Sequence, residues 1–314
     1  MWHELTHDFI YDFIGLSGKL AEASHFFIYD TVKIWFLLVT IIFAISFLRT
    51  WFNTEYVRAH LQGKSALYGH SFAAMFGVIT PFCSCSAIPL FLGFIQARIP
   101  LGITFSYLIS APMNNEIAIA MLFGLFGIKV TAIYIGFGLF VAIFGGWIIG
   151  KLNLEKEILM DVTPLESELH ADIVKLTFKK RTKEAWDYTF DIFKKIYLYV
   201  MLGVGVGAWI HGYVPTDFIA SYAGEGNPFA VPIAVIMGIP MYSNAAGIMP
   251  LIEVLTSKGM LLGTALSFMM AVTALSLPEA LILKKIISLK MIGIFFGIVG
   301  SGIIGIGYLF NAIL

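Results

Sequence analysis

Charged side chains are scarce in this chain of 314 residues. Asp, Glu, Lys and Arg make up 13% of the sequence, whereas soluble domains carry about 25%. This scarcity excludes an ordinary soluble domain. Hydrophobic residues make up 59%, and apolar runs long enough to span a bilayer recur along most of the length. Because the runs do not alternate in polarity, as the strands of a membrane barrel would, they predict membrane helices.

Several chemical signatures are absent as well. Two cysteines are too few for a disulfide framework, and a formal net charge of zero gives no general attraction to nucleic acid. No phosphate-binding loop of the G-x-x-x-x-G-K-[ST] type occurs, and neither does H-E-x-x-H or C-x-x-C. We therefore expect no enzyme, no cofactor and no resident metal. The N-terminus lacks the basic start of a signal peptide, and residues 1–27 are predicted to form an amphipathic interfacial segment.

The apolar segments form two groups of four, separated by a charged stretch at 151–192. We interpret this stretch as a basic cytoplasmic linker. The first membrane half is then predicted at 28–150 and the second at 193–314. The eight segments lie at 31–48, 66–97, 100–124, 129–150, 193–213, 229–256, 260–283 and 289–313.

The two halves resemble each other at a spacing of 161 residues. Apolar sequences often match by chance, but shared positions of proline, glycine and lysine are more specific, and internal repeats are common in secondary transporters. The spacing maps Pro89 to Pro250, Gly102 to Gly263, Ser106 to Ser267, Lys129 to Lys290, Gly136 to Gly297 and Gly146 to Gly307.

Segments two and six each carry a proline and polar residues at their centre, so both are predicted to be broken helices. Each could either cross the membrane or turn back as a re-entrant hairpin. With the linker in the cytoplasm, seven of the 20 basic residues lie outside if all eight segments cross, but four if segments two and six re-enter. We therefore expect an all-α integral membrane protein with two inverted halves, whose two hairpin tips meet near mid-membrane.

The tip of segment two contains both cysteines. Cys83 and Cys85 are two positions apart, so in an extended turn both thiols face one side. Such a pair suits Cu(I), Zn or trivalent arsenic, or exchange with a sulfur substrate. Since lasting zinc sites normally have four ligands, the thiols are expected to contact a substrate, with the Ser84 and Ser86 hydroxyls beside them. The alternative is that small apolar cysteines fill a tight turn.

The tip of segment six offers hydrogen-bonding groups instead of thiols. Tyr242, Ser243 and Asn244 are all able to bind a polar substrate. The alternative is hydrogen bonding between helices, which small polar residues commonly provide in membranes.

Two further segments place acidic residues in apolar surroundings. Acids within a membrane mark ion or proton pathways by default, so Glu116 in segment three is a candidate carrier of a coupling proton. Its neighbours Asn114 and Asn115 are candidates for the solute pathway. Glu279, in segment seven, stands five residues before Lys284, and we interpret it as a side chain that reaches the interface; a coupling or substrate role is the alternative.

The broken segments carry a family resemblance. Residues 80–86, Thr-Pro-Phe-Cys-Ser-Cys-Ser, and residues 110–116, Ser-Ala-Pro-Met-Asn-Asn-Glu, resemble the predicted permeases of the ArsP/YraQ type, as does the run at 238–247. Members include organoarsenical and arsenite efflux permeases. The resemblance implies an inner-membrane permease of a bacterium or archaeon in which Cys83 and Cys85 contact the substrate. It also implies eight spans, whereas the lysine distribution favours six spans and two hairpins.

These observations predict a secondary-type permease that moves a small thiophilic or sulfur-containing solute, such as an organoarsenical, arsenite or a thiol compound. We expect a multi-pass protein of the cytoplasmic membrane whose partners are the lipid bilayer and the solute. Two alternatives remain at this point: a membrane thiol–disulfide relay, and an assembly factor that transports nothing. The sequence does not fix the oligomeric state.

Overall fold

The computed structural model describes residues 11, 18–49, 66–80, 84–159, 178–213, 227–241 and 245–313. Within these ranges the regular structure is helical, which confirms the expected all-α class. The helices are α1 (Lys19–Arg49), α2 (Ala66–Ile79), α3 (Ser84–Gln96), α4 (Leu101–Met113), α5 (Glu116–Lys151), α6 (Phe178–Tyr213), α7 (Ala230–Gly238), α8 (Ala245–Ser257), α9 (Leu262–Ala274), α10 (Leu277–Leu283) and α11 (Leu289–Ile313).

Four helical stretches of the described chain are long and apolar enough to cross a membrane. They are Ala23–Ala44 within α1, Glu116–Lys151, Leu262–Leu283 and Leu289–Ile313. Helices α2, α3, α4 and α8 are apolar but only 13 or 14 residues long, about 20 Å against a hydrocarbon core of roughly 30 Å. The chain is therefore a multi-pass membrane protein in which whole spans alternate with half-length helices.

The helix ends follow the predicted segments, but segments three and seven are also broken. Helix α4 ends at Met113 and α5 begins at Glu116, while α9 ends at Ala274 and α10 begins at Leu277. Within α5, Gly127 has φ 78° and ψ 179°, a backbone conformation that residues other than glycine rarely adopt. This glycine divides α5 into two arms near the boundary predicted between segments three and four.

The first helix of each half packs against the other in opposite directions. Trp35 of α1 lies 5.8 Å from Phe193 of α6, and Phe47 lies 5.5 Å from Phe178, measured between ring centroids. As the residue number rises along α1 it therefore falls along α6. Helix α6 begins at Phe178, inside the stretch predicted as linker. Its first turns are charged, but they also carry aromatic side chains that pack on α1, such as Trp186 against Phe43.

Helices α2 and α4 run in the same direction. Nδ1 of His70 and Oγ of Ser106 are hydrogen-bonded at 2.9 Å, and four residues further along both helices Ser110 Oγ donates to the Ala74 carbonyl at 2.7 Å. Helix α3 lies between them in the sequence and also packs on α4, where Phe91 and Phe105 form an edge-on ring contact. Both rings are fully buried and belong to the common core of the two halves.

Helices α5 and α11 join the two halves and are antiparallel. The rings of Phe137 and Phe310 are 5.8 Å apart, whereas the contact nearer the linker involves Gly145 and Ile298. This packing extends the core because the buried Phe295 of α11 reaches Phe105 of α4 at 5.5 Å.

The beginning of the linker is tied to the start of α11. Ser288 N donates to the Glu157 carbonyl and Leu159 N to the Ile286 carbonyl, each at 2.8 Å. Lys290 Nζ is 3.2 Å from Glu157 Oε1. The basic residues that precede α11 therefore lie on the same side of the protein as the linker, where α5 ends.

The Glu157 contact is expected to depend on pH. The Ser288 hydroxyl and the Lys290 ammonium group hold the pKa of the Glu157 carboxyl below its usual range. A carboxyl whose pKa is lowered by folding contributes stability above the ordinary glutamate range, and loses it as the pH falls through the lowered pKa. We expect Glu157→Gln to lower the melting temperature slightly at pH 7, by about 1 °C for so exposed a pair, and to have no effect below about pH 3. Thermal scans at both pH values, with Glu155→Gln as control, test this; an equal loss at both would contradict it.

Candidate functional site

The first tip follows α2. Thr80 closes that helix, because its Oγ1 donates to the carbonyls of Phe76 at 3.0 Å and Gly77 at 3.1 Å. Cys83 lies outside the described residues. The backbone of Ser84, Cys85 and Ser86 forms the first turn of α3, and their side chains lie outside the description. The predicted thiol contacts therefore stay a prediction.

The second tip follows α7 in the same way. Met241 N donates to the Gly238 carbonyl at 3.0 Å, which forms a tight turn at the end of the helix. The candidates Tyr242, Ser243 and Asn244 lie outside the described residues, and α8 resumes at Ala245.

Each tip begins where a glycine packs closely against the neighbouring broken helix. A side chain at Gly77 would meet Ser110 and the backbone of Ala111 on α4, just before that helix ends. In the second half, a side chain at Gly238 would meet Ala271 and the Phe268 carbonyl on α9. The ends of α2 and α7, which lead into the two tips, therefore pack beside the breaks that follow α4 and α9.

The C-cap of α7 is also hydrogen-bonded to the break that follows α9. Leu277 N, the first residue of α10, donates to the carbonyl of Ile239 at 2.8 Å. Movement of the α7–α8 connection therefore bears directly on the start of α10.

A line of polar side chains follows one face of α4 toward the first break. Ser106, Ser110 and Asn114 are spaced four residues apart, and Asn114 Nδ2 is 3.4 Å from Ser110 Oγ. Asn114 is fully buried, and its Oδ1 has no hydrogen-bond partner among the described residues. It faces Gly138 of α5, where any side chain would overlap the amide. The structure thus leaves an unused acceptor at the predicted pathway residue.

The next two candidates differ from Asn114. Asn115 is the N-cap of α5, where its Oδ1 accepts from Ile117 N at 2.9 Å, a role that accounts for an asparagine there. Glu116 lies in the first turn of α5 with an exposed side chain. An acid is favoured in the first turn of any helix, so this position has a local explanation, and the role of Glu116 in coupling stays a prediction.

Glu279 was wrongly interpreted as an interface residue. Its side chain is 1% exposed, and neither carboxylate oxygen has a hydrogen-bond partner within the described chain. Sequence spacing from Lys284 was misleading because α10 ends at Leu283 and turns only there. The sequence did contain a signal for a helix start at this point, in Ser276-Leu277-Pro278-Glu279. The serine and the glutamate have the spacing of a capping box, and a proline stands between them.

No group of three or more His, Cys, Asp or Glu side chains that could hold a metal ion occurs in the described part of the chain. The features that do converge there are broken helices, packed glycines and unpaired buried polar atoms. Irregular backbone at membrane depth is tolerated where it is buried in protein or lines a cavity. Discontinuous helices and close glycine packing of this kind occur in helical membrane proteins that include transporters.

The particular family follows from comparison with known proteins. The chain matches a family model described as a predicted permease, of the ArsP type, over residues 19–312, and it belongs to that family. It is 22% identical over 291 residues to UPF0718 protein MJ0584 of Methanocaldococcus jannaschii, an alignment that covers 75% of this chain and 80% of that protein. It is 23% identical over 168 residues to UPF0718 protein YcgR of Bacillus subtilis, covering 53% and 56%. No solved structure matches. The resemblance inferred from the sequence is thereby confirmed.

Proposed function

We propose that this chain is a secondary-type permease that carries a small thiophilic or sulfur-containing solute, such as arsenite, an organoarsenical or a thiol compound, across the cytoplasmic membrane. The solute binds at mid-membrane between the two tips. Cys83 and Cys85 contact it from one side, and Tyr242 and Asn244 from the other. Membership of the predicted permease family supports the general activity, and the residue types at the first tip support the thiophilic class.

The observation that carries the proposal is the repetition of one packing arrangement in both halves. Helices α3 and α8 each have 13 residues and begin 161 positions apart, as do α4 and α9. The glycine contacts recur at the same spacing: Gly102 and Ser106 meet Gly146, and Gly263 and Ser267 meet Gly307. The fold is therefore consistent with two copies of a repeat of four helical segments. In each copy the second and third segments are broken.

The helix directions support inversion of one repeat relative to the other. Corresponding helices, α1 with α6 and α5 with α11, pack antiparallel. Helices related by a parallel repeat would run the same way through the membrane, whereas inverted repeats give opposite directions. The tie between Glu157 and Lys290 further supports a cytoplasmic position for the basic residues before α11.

Contacts within the first half support a hairpin at the first tip. The rings of Phe76 on α2 and Phe94 on α3 are 6.3 Å apart, and both contact Tyr107. Residues 18 positions apart in one straight helix would be separated by about 27 Å. Because α2 and α4 are parallel, the intervening α3 has to run back between them.

The second hairpin enters from the opposite face. Tyr308 Oη, near the end of α11, donates to the Pro228 carbonyl just before α7. The side-chain amide of Asn311 makes two hydrogen bonds to Thr264, near the start of α9. Its Oδ1 accepts from Thr264 N, and its Nδ2 donates to Thr264 Oγ1. Both ends of the α7–α8 pair therefore lie beside the end of α11, away from the linker.

Accessibility labelling tests this arrangement. In a Cys83→Ser/Cys85→Ser background we expect Lys129→Cys to react with an impermeant maleimide on intact cells, and Lys284→Cys to react only after permeabilisation. Both positions carry exposed side chains. Eight complete crossings would place both on the outer face, so labelling of both from outside would contradict the inverted hairpins.

A binding screen tests the solute class. Purified protein would be scanned for ligand-induced thermal stabilisation with arsenite, phenylarsine oxide, Zn²⁺, Cu⁺, cysteine and glutathione. We expect stabilisation by the arsenicals or thiol compounds, because a ligand that binds the folded state raises the melting temperature. A mixed disulfide trapped with a carrier protein, without stabilisation by any solute, would favour the thiol relay instead.

A further inference from the structure

Glu279 is unlike the other acidic residues of the described chain. It is the one carboxylate among them that is both buried and without any hydrogen-bond partner. It lies within Leu262–Leu283, an apolar stretch long enough to cross the membrane and largely enclosed by protein. An ionised carboxylate in such surroundings is strongly disfavoured unless a partner compensates it. A carboxyl group inside a membrane span is by default a candidate functional site.

A second unpaired polar group stands beside it. Ser276 is 1% exposed, and its hydroxyl also has no hydrogen-bond partner among the described residues. At a helix N-terminus a serine and a glutamate three positions apart normally cap the free backbone N–H groups. Here neither cap forms: the Ser276 side chain makes no cap hydrogen bond, and neither Glu279 oxygen accepts one from the described residues. The hydroxyl and the carboxyl are consequently left available to another ligand.

Among the side chains that the structure describes, the elements packed on α10 supply no positive charge that pairs with Glu279. Helix α10 packs against α6 and α3 and follows α9. Helices α3 and α9 carry no Asp, Glu, Lys, Arg or His, and the titratable group on α3 is Cys85. None of the described side chains on α6 or at the end of α10 is bonded to Glu279. The titratable groups with described side chains there are Lys179, Lys180, Arg181, Lys183, Glu184, Asp187, Tyr188, Asp191, Lys194, Tyr197, Lys284 and Lys285, while the side chains of Lys195, Tyr199, His211 and Tyr213 lie outside the description.

We propose that Glu279, three residues after the unpaired Ser276 hydroxyl, is the proton-binding site that couples this permease to the proton gradient. The inference rests on the proposed transport function and assigns its coupling group. With no charged partner among the described side chains, the carboxyl is held neutral, with a proton on one oxygen, while the site is closed. When the site opens to water, the O–H bond breaks, the proton passes to water on the open side, and the carboxylate is solvated.

The hydrogen bond at the second tip supplies the link to the solute site. Ile239 stands three residues before Tyr242, and its carbonyl holds Leu277 at the start of α10. In the proposed mechanism, solute binding at the second tip affects α10 through this bond. Glu116, on the exposed face of α5, has no comparable link among the described contacts.

Chemical labelling tests the protonated state independently of transport. Dicyclohexylcarbodiimide partitions into apolar sites and reacts with protonated carboxyls, so purified protein would be treated at pH 7 and its peptides examined by mass spectrometry. We expect the Glu279 peptide to be modified at least roughly tenfold more than the exposed Glu155 peptide, with loss of the adduct in Glu279→Gln. Equal modification of both peptides would overturn the proposal. Protection by Na⁺ at constant pH would also overturn it, because the site would then bind a metal cation.

Transport separates this inference from the function on which it rests. Wild type and variants would be reconstituted in proteoliposomes, and arsenite flux measured with and without a pH gradient. We expect the gradient to accelerate wild type, and Glu279→Gln to retain arsenite exchange while its ratio of flux with and without the gradient falls to about 1. Glu253→Gln, on the exposed face of α8, is the matched control and should respond as wild type does.

The outcomes are distinct. If wild type moves no arsenite and the Glu279 peptide is still modified selectively, the transport proposal fails in its arsenical form while the proton site stands. If Glu279→Gln responds to the gradient like wild type, the proton site is wrong and transport stands. If Glu116→Gln alone loses the response, coupling belongs to Glu116 and the assignment to Glu279 is overturned.

Discussion

Replacement of Cys83 and Cys85 together by serine is expected to weaken the binding of a trivalent arsenical by at least roughly a hundredfold, about 2.7 kcal/mol. The reason is the softness of the ligand. Thiolate sulfur binds thiophilic ions far better than hydroxyl oxygen, whereas serine keeps nearly the same size and a hydrogen-bonding group. The measurement is the arsenical-induced rise in melting temperature across a concentration series. We expect it to disappear in the double variant.

The single variants sharpen this result. If both thiols hold one ligand, Cys83→Ser and Cys85→Ser should each lose most of the affinity, because one remaining thiolate is a monodentate ligand. Gly136→Ala serves as the control, since a side chain at Gly136 would meet nothing within 4 Å. An arsenical that stabilises the double variant as strongly as wild type would show that the thiols do not contact it.

Gly146→Ala is expected to be the most damaging of the conservative substitutions in the fold. A methyl group there would overlap the Gly102 carbonyl and the backbone N of Ser106, neither of which can turn aside. Overpacking of this kind costs roughly 1–3 kcal/mol, so the melting temperature should fall by several degrees. Gly307→Ala should behave similarly, because it would overlap Ser267 and Val231 at the corresponding crossing.

The controls for these variants lie on the same helices. Gly136 of α5 and Gly297 of α11 correspond to each other at the spacing of 161, and both have open space where a methyl group would stand. Alanine at either position should leave the melting temperature unchanged or raise it slightly, since alanine favours helix by up to about 1 kcal/mol. Equal losses at the packed and the open glycines would contradict the close crossings.

Much of the architecture could be predicted from the sequence, because long apolar runs in a membrane have few alternatives to helix. The segment boundaries agree with the helices to within a few residues, apart from α1 and α6, which extend beyond their apolar parts. The spacing of Gly102, Ser106 and Gly146 indicated a repeat, and the structure brings these three residues into contact. The small residues that recur at the same spacing in both halves form the same close helix crossings, because small side chains let helix backbones approach each other.

The breaks after α4 and α9 were harder to predict. Prolines mark segments two and six at their centres, but Pro112 and Pro278 lie within helices α4 and α10, beside the breaks. The burial of Glu279 depends on where α10 sits against α6 and α3, a tertiary relation that no local pattern contains.

Flux of arsenite into proteoliposomes, measured for wild type and for Cys83→Ser/Cys85→Ser, tests the central claim most directly. The account predicts saturable, protein-dependent flux in wild type and flux at the level of protein-free vesicles in the double variant, with both proteins folded to similar melting temperatures. If flux and its saturation are the same in both proteins, the solute does not pass through the cysteine tip and the proposed site is wrong.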